Sequence, residues 1–151
     1  MRIALYHPDI PQNVGAVLRI SACFGVGVDI IGPCGFPFDD ARVRRVAMDY
    51  IHLADYSYHS SWEAFLSQHD QNRLVLMTTK GSVAYTQWQF GAGDILLFGR
   101  ESAGVPQDIH AMCDAKIRIP MREGARSLNL AVSAGIVVSE ALRQMDAGKK
   151  N

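Results

Sequence analysis

Cysteine is scarce in this chain of 151 residues, with three in all: Cys23, Cys34 and Cys113. The number is odd and no two have CxxC spacing. That argues against a disulfide framework or a zinc site and fits a reducing, cytoplasmic setting. Long hydrophobic runs are missing too, and none approaches the roughly 20 residues of a membrane span. The opening MRIALYHPDIPQN has neither the apolar core nor the small-residue cleavage site of a secretory signal. Neither sign of charge is in excess. Fifteen Lys and Arg meet fifteen Asp and Glu for a formal net charge of +0, so nucleic-acid binding would require a local basic patch. The glycine-rich phosphate cradles are absent: there is no GxxxxGK[ST], and Gly25-x-Gly27 has Ile30 where a dinucleotide site needs its third glycine. No GxSxG elbow and no His/Cys ligand cluster occurs, so no metal is expected. The five histidines are scattered and read as surface or structural groups.

What remains is an ordinary globular composition, 48% hydrophobic and 20% charged, long enough to bury a core as one domain over residues 1–151. Residues 3–6 form a short apolar strand, and the proline-bearing loop HPDIPQN follows. Asn13 is expected to cap a helix over 13–24, with Gly25 as its stop. A strand over 26–31 ends at Gly32-Pro33. Asp39 or Asp40 caps a short helix carrying Arg42, Arg44 and Arg45. Residues 50–58 have no clear period and read as a strand and a loop. Ser60 or Ser61 caps a helix with Trp62, Phe65 and Leu66. Residues 73–79, RLVLMTT, are a continuous apolar strand; 82–89 are irregular; 94–98 and 116–119 are further strands around a short helix over 106–113 with Pro at its first position. The closing helix is expected over 127–145, capped by Ser127, with Leu128, Ala131, Val132, Gly135, Val138, Leu142 and Met145 on one face and a frayed GKKN tail. Strands that are apolar throughout and alternate with helices predict an α/β fold: a mostly parallel sheet with helices on both faces.

In such sheets ligands sit outside the carboxyl ends of the strands, which directs attention to three loops. They are PQNVGAVLR at 11–19, FGRESAGVP at 98–106 and IPMREGARSLNL at 119–130. Gly99 and Gly104 permit tight turns there. Asn129 stands out, because asparagine is a mediocre helix former.

Taken together, Asn13-x-Gly15-x-x-x-Arg19, FGRESAGVP and IPM…SLNLAVSAGIVVSEALR resemble, in order and spacing, the three motifs of the SpoU branch of the SPOUT RNA methyltransferases. YHPDIPQNVGAVLRISACFG, GFPFDDARVRRVAMDY and LVLMTTKG, with no extra domain, are most similar to its small tRNA wobble-position 2′-O-methyltransferases. The second motif departs from the usual GPETRG: Arg100 replaces a proline and Ala103 an arginine. The resemblance implies a C-terminal trefoil knot, which patterning alone would not suggest, and a homodimer. It implies S-adenosylmethionine as cofactor, with Met77, Gly99, Ile119 and Ser127 at the cofactor-binding positions. The implied substrate is tRNA, methylated on the ribose of cytidine or uridine 34, with leucine tRNA as the expected species. Alternatives are another tRNA or rRNA ribose, or a non-catalytic RNA- or nucleotide-binding protein of the same fold. Arg19, Ser127 and Asn129 occupy the catalytic positions. Arginine stays protonated in nearly any site, so Arg19 is expected to stabilise the developing alkoxide or grip a phosphate rather than act as a base. Arg42, Arg45, Lys80, Arg100 and Arg126 are the RNA-binding candidates.

Overall fold

Along the central strands, successive side chains enter two different cores. In the computed structural model, which describes residues 1–149, Ile3, Leu5, Leu96 and Phe98 face one apolar cluster while Ala4, Tyr6, Ile95 and Leu97 face another. This is the period of two of extended backbone, with both faces covered. Leu96 and Leu97 are wholly buried, and each such side chain contributes about 1.5–3 kcal/mol.

The strands are β1 (Arg2–Tyr6), β2 (Gly27–Ile31), β3 (Tyr56–His59), β4 (Arg73–Met77), β5 (Val83–Ala84), β6 (Asp94–Phe98) and β7 (Ala115–Arg118). They form one sheet in the order β3-β2-β1-β6-β4-β7-β5, and every neighbouring pair is parallel. Helices α1 (Pro11–Phe24) and α5 (Leu130–Lys149) cover one face through Val14, Val17, Leu18, Ala134, Val137 and Val138. Helices α3 (Trp62–Gln68) and α4 (Gln107–Met112) cover the other through Trp62, Phe65 and Ile109. Helix α2 (Asp40–Ala47) lies against α1, so closely that a Cβ on Gly15 would stand 2.5 Å from the Val46 carbonyl oxygen.

Several local signals act as expected. Gly25 ends α1 at φ 66°, Asp39 accepts from the Arg42 amide, and Ser61 accepts from the Ala64 amide; the Asp40 side chain lies outside the described residues. All three cysteines are free. Others act differently. Helix α1 starts at Pro11, whose ring pre-sets the first helical φ, so Asn13 is inside the helix and not its cap. Helix α5 starts at Leu130, and Asn129, not Ser127, caps it by accepting from the amides of Ala131 (2.9 Å) and Val132 (3.2 Å). Its buried face is Ala131, Ala134, Val137, Val138 and Ala141, while Val132 is exposed, so the expected stripe is rotated. Residues 78–79 leave β4 as a turn, and the irregular 82–89 segment contributes the two-residue β5. The helix runs through Lys149; Lys150 and Asn151, in the tail expected to fray, lie outside the described residues. No helix among the described residues is long and apolar enough to cross a membrane.

Beneath α3 the sheet buries a charge. Asp29 accepts from Arg2 Nε at 2.6 Å and stands 2.8 Å from His59 Nε2 and 3.4 Å from His69 Nε2. Burial alone would raise the Asp29 carboxyl, but the hydrogen bonds from Arg2 and His59, with the Arg2 charge, outweigh it and hold the group below its usual value. His59 and His69 are thus tied to a buried carboxylate. Removing one partner of a buried pair leaves the other desolvated and uncompensated. Asp29→Asn is therefore expected to lower the unfolding free energy by about 3 kcal/mol at neutral pH, measured by urea titration.

Candidate active site

The carboxyl ends of β4, β6 and β7 open into a cavity of about 750 Å³, within the roughly 300–1,000 Å³ range of small-molecule sites. Met77, Phe98, Ile119, Met121 and Leu128 give it apolar walls. Thr78, Thr79 and Lys80 after β4, Glu101 after β6, His110 on α4, and Asn13, Ser127 and Asn129 supply polar groups.

The loop after β6 is shaped by its glycines. A Cβ on Gly99 would stand 2.5 Å from the Gly104 carbonyl carbon, and Gly104 holds φ 66°. Only glycine allows the first approach and glycine best tolerates the second. Arg100 and Gly104 exchange backbone hydrogen bonds of 3.0 and 2.9 Å, closing a tight loop that presents Glu101. The Glu101 carboxylate accepts the Asp9 amide at 2.8 Å and the Asn13 side-chain amide at 3.2 Å. Asn129 Nδ2 donates to Asn13 Oδ1 at 3.0 Å, and Asn129 Oδ1 caps α5. An ionised carboxylate only accepts. Glu101 therefore fixes the orientation of the Asn13 amide, and Asn13 fixes that of Asn129. One polarised line runs from the β6 loop through α1 to the first turn of α5.

Asp9 clamps the same loop from outside. It accepts from Arg100 Nη2 at 2.7 Å, from the Ser102 hydroxyl at 2.6 Å and from the Ser102 amide at 3.2 Å. The Arg100 hydrogen bond, then that of Ser102, pull the Asp9 carboxyl down to about 2.

Met77, Gly99, Ile119, Ser127, Asn129, Lys80 and Arg100 all line the cavity. Arg19 does not. It is exposed on α1, its guanidinium 4.6 Å from the Tyr50 ring centroid and its Nη2 3.4 Å from the Tyr50 hydroxyl. Six residues along a helix turn through about 240° net, so Arg19 cannot share the side of α1 that carries Asn13. Arg42 and Arg45 are exposed on α2 and Arg126 is exposed before α5, all outside the cavity. Asp9 and His110 carried no sequence signal. Asp9 is recognisable only from its pairing with residues more than ninety positions away.

The match to the SpoU rRNA Methylase family spans residues 1–139, and the chain belongs to that family. It is 52% identical over 147 residues to the tRNA (cytidine(34)-2′-O)-methyltransferase of Beijerinckia indica subsp. indica, covering 96% of this chain and 92% of the relative. It is 41% identical over 147 residues to the enzyme of that name from Escherichia coli K12, covering 96% and 94%. Among solved structures, one described by the 2-OH methylation of C/U34 on tRNA superposes with a TM-score of 0.91 at 37% identity, covering 97% of this chain and 96% of the other. An AdoMet-bound rRNA methyltransferase from Sinorhizobium meliloti gives 0.83 at 29% identity, covering 94% of this chain and 55% of the other.

Two outcomes test this geometry. Asn129→Ala is expected to lower the unfolding free energy by about 2 kcal/mol, roughly half from the cap and half from the lost bridge to Asn13. Asn129→Asp, which restores the cap but not the donor, recovers about half in the same urea titration. Because the folded Asp9 carboxyl lies below its unfolded value, its contribution is full above the unfolded value and is lost as pH falls through about 2. The stability difference between wild type and Asp9→Asn should be flat near neutrality and shrink in that acid window, read by unfolding at a series of pH values.

Proposed function

We propose that this protein transfers the methyl group of S-adenosylmethionine to the ribose 2′-hydroxyl of the wobble nucleotide, position 34, of tRNA. The observation that carries this reading is the convergence of Asn13, Glu101 and Asn129, one from each motif segment, on a single cavity at the strand ends. The names of relatives at 41% and 52% identity over nearly the whole chain supply the substrate.

The cavity's donor set fits the cofactor. Apolar walls at Met77, Ile119 and Leu128 suit an adenine, Lys80 suits a carboxylate, and Glu101 offers an anion to a cationic sulfur. When bound, S-adenosylmethionine supplies an electrophilic methyl group. The chain's own work is to hold the acceptor oxygen in line and to stabilise the charge it develops. Ser127 and Asn129 border the cavity, and we assign them to ordering the loops around the acceptor. Arg19 suits the charge-stabilising role, being always protonated, but in one chain it stands away from the cavity. We assign that gap to a second copy of the chain, whose Arg19 would complete the site. Phe24 on α1 and Val132 on α5 are 47% and 51% exposed, and we assign these apolar positions to a homodimer interface. Arg42 and Arg45 on α2, Lys80 and Arg100 at the cavity and Arg126 beside it are assigned to RNA contacts. Phosphate contacts of this kind make binding fall steeply with salt. In this reading the chain acts as one domain over 1–151 in the cytoplasm. Its C-terminal segment is threaded as a trefoil knot, in keeping with the placement of β7 between β4 and β5.

Incubation with labelled S-adenosylmethionine and total tRNA, followed by mapping of the label, is expected to place it on the 2′-oxygen of nucleotide 34. Absence of transfer with cofactor bound would overturn the reading in favour of a binding protein. Arg19→Ala should lose about 100-fold or more in kcat, with calorimetric cofactor affinity unchanged. Full turnover by that variant would remove Arg19 from the mechanism.

A further inference from the structure

Arg19 is held by a short segment of the chain that takes no part in the cavity. Helix α2 ends at Ala47, and at Met48 the backbone turns to φ 54° in a residue that carries a Cβ. Met48 is 62% exposed, so burial of its side chain does not impose the turn. Strain of this kind persists where the surrounding structure fixes the chain, often at functional sites. The chain continues as a 3-10 helix, Met48–His52. Ile51 and Ala54 pack against the core that α1 covers, and the Leu53 and Ala54 amides donate to the Tyr50 carbonyl at 3.0 and 3.1 Å. Tyr50 is thus pinned through its backbone and its neighbours, and its half-buried ring meets α1 at Arg19.

The register between α1 and this segment is set one helical turn earlier. Gly15 and Arg19 are four residues apart and share one face of α1. At Gly15 the backbone of α2 comes so near that a Cβ would stand 2.5 Å from the Val46 carbonyl oxygen. With α2 locked there, the chain four residues beyond Val46 arrives beside Arg19, and that residue is Tyr50. The Arg19 guanidinium lies over the Tyr50 ring, 4.6 Å from its centroid, and Nη2 donates to the Tyr50 hydroxyl at 3.4 Å. A cation within about 6 Å of a ring centroid is attracted to the ring face. The guanidinium, planar and weakly hydrated, suits such stacking.

We infer that Tyr50 is a positioning residue for the methyl transfer: its ring holds the Arg19 guanidinium in place without neutralising it. The inference rests on the charge-stabilising role proposed for Arg19 above. Arg2, Arg73, Arg100 and Arg143 are each held by a carboxylate. Among the described residues Arg19 is held by an aromatic ring instead. The difference bears on the chemistry. A carboxylate against the guanidinium would cancel much of the field that a developing alkoxide feels, whereas a ring carries no net charge and leaves that field standing. A donor that stabilises charge in the transition state works best when it is oriented beforehand. An exposed arginine on a flexible stem lacks that orientation unless something holds it. The ring also keeps Arg19 on the surface of α1, outside the cavity of its own chain, where a second copy can meet it.

The test uses Tyr50→Phe, which keeps the ring and loses the hydroxyl, and Tyr50→Leu, which keeps apolar bulk and loses the ring. With total tRNA and labelled S-adenosylmethionine, kcat should fall less than about threefold in the first and about tenfold or more in the second. KM for tRNA, calorimetric cofactor affinity and the unfolding midpoint should hold in both. In an Arg19→Ala background, measured with enzyme in excess, Tyr50→Leu should lower the rate no further, because the ring then has nothing to hold. A loss through misfolding would instead appear in both backgrounds. Equal kcat for Tyr50→Phe and Tyr50→Leu, a loss carried by KM, or the same loss with and without Arg19 overturns the assignment of Tyr50 and leaves the methyltransferase reading standing. Full turnover by Arg19→Ala removes both residues from the mechanism while transfer itself stands. Failure of wild type to methylate total tRNA overturns the inference together with the reading beneath it.

Discussion

The carboxylate of Glu101 accepts and cannot donate, and from that single restriction an order spreads through the site. It sets which way the Asn13 amide faces, Asn13 then sets Asn129, and the Asn129 oxygen ties down the first amides of α5. Three segments far apart in sequence meet through one directed line of hydrogen bonds. Each member has a tertiary partner on one side and a local or tertiary one on the other. Asn13 at its centre is buried while Glu101 is half-buried and Asn129 exposed, so the inner part of the line is the part whose disruption costs most. The placing of α5, which also supplies half the cover of one sheet face, is thereby coupled to the shape of the β6 loop.

Much of the framework follows from short-range chemistry. The apolar strands, Gly25 at a left-handed helix end, and the caps at Asp39 and Ser61 work through neighbours three or four residues away. A reading of the chain alone therefore reaches the parallel α/β sheet. It misplaces Asn13 and Ser127 for the opposite reason. Both are polar residues beside a helix start, and the local rule makes each a cap. Asn13 is diverted by Glu101, 88 positions away, and Pro11 has already begun the helix. Asn129 looked odd for a residue inside a helix because it is not inside one. Met77, Gly99, Ile119, Ser127 and Asn129, the positions the family motifs point to, lie around one opening. They place Arg19 in the same set, whereas helix geometry turns it outward.

The zero net charge is likewise a sum of unlike parts. Arg2, Arg73, Arg100 and Arg143 are each paired with a carboxylate on the same chain. Arg42, Arg44 and Arg45 stand exposed together on one short helix. Formal neutrality therefore coexists with a locally basic surface. The aggregate charge describes solubility more than it describes partners.

The loop from Gly99 to Gly104 is a partition one chain thick, with the cavity on one side and a smaller recess lined by Tyr6 and His7 on the other. An occupant that shifts the partition changes the room left for the other. Such linkage is reciprocal in free energy: if a guest in one compartment tightens the hold on a guest in the other, the converse follows by the same factor. The two glycines that let the loop close on itself thus also decide how stiff the wall between the two compartments is.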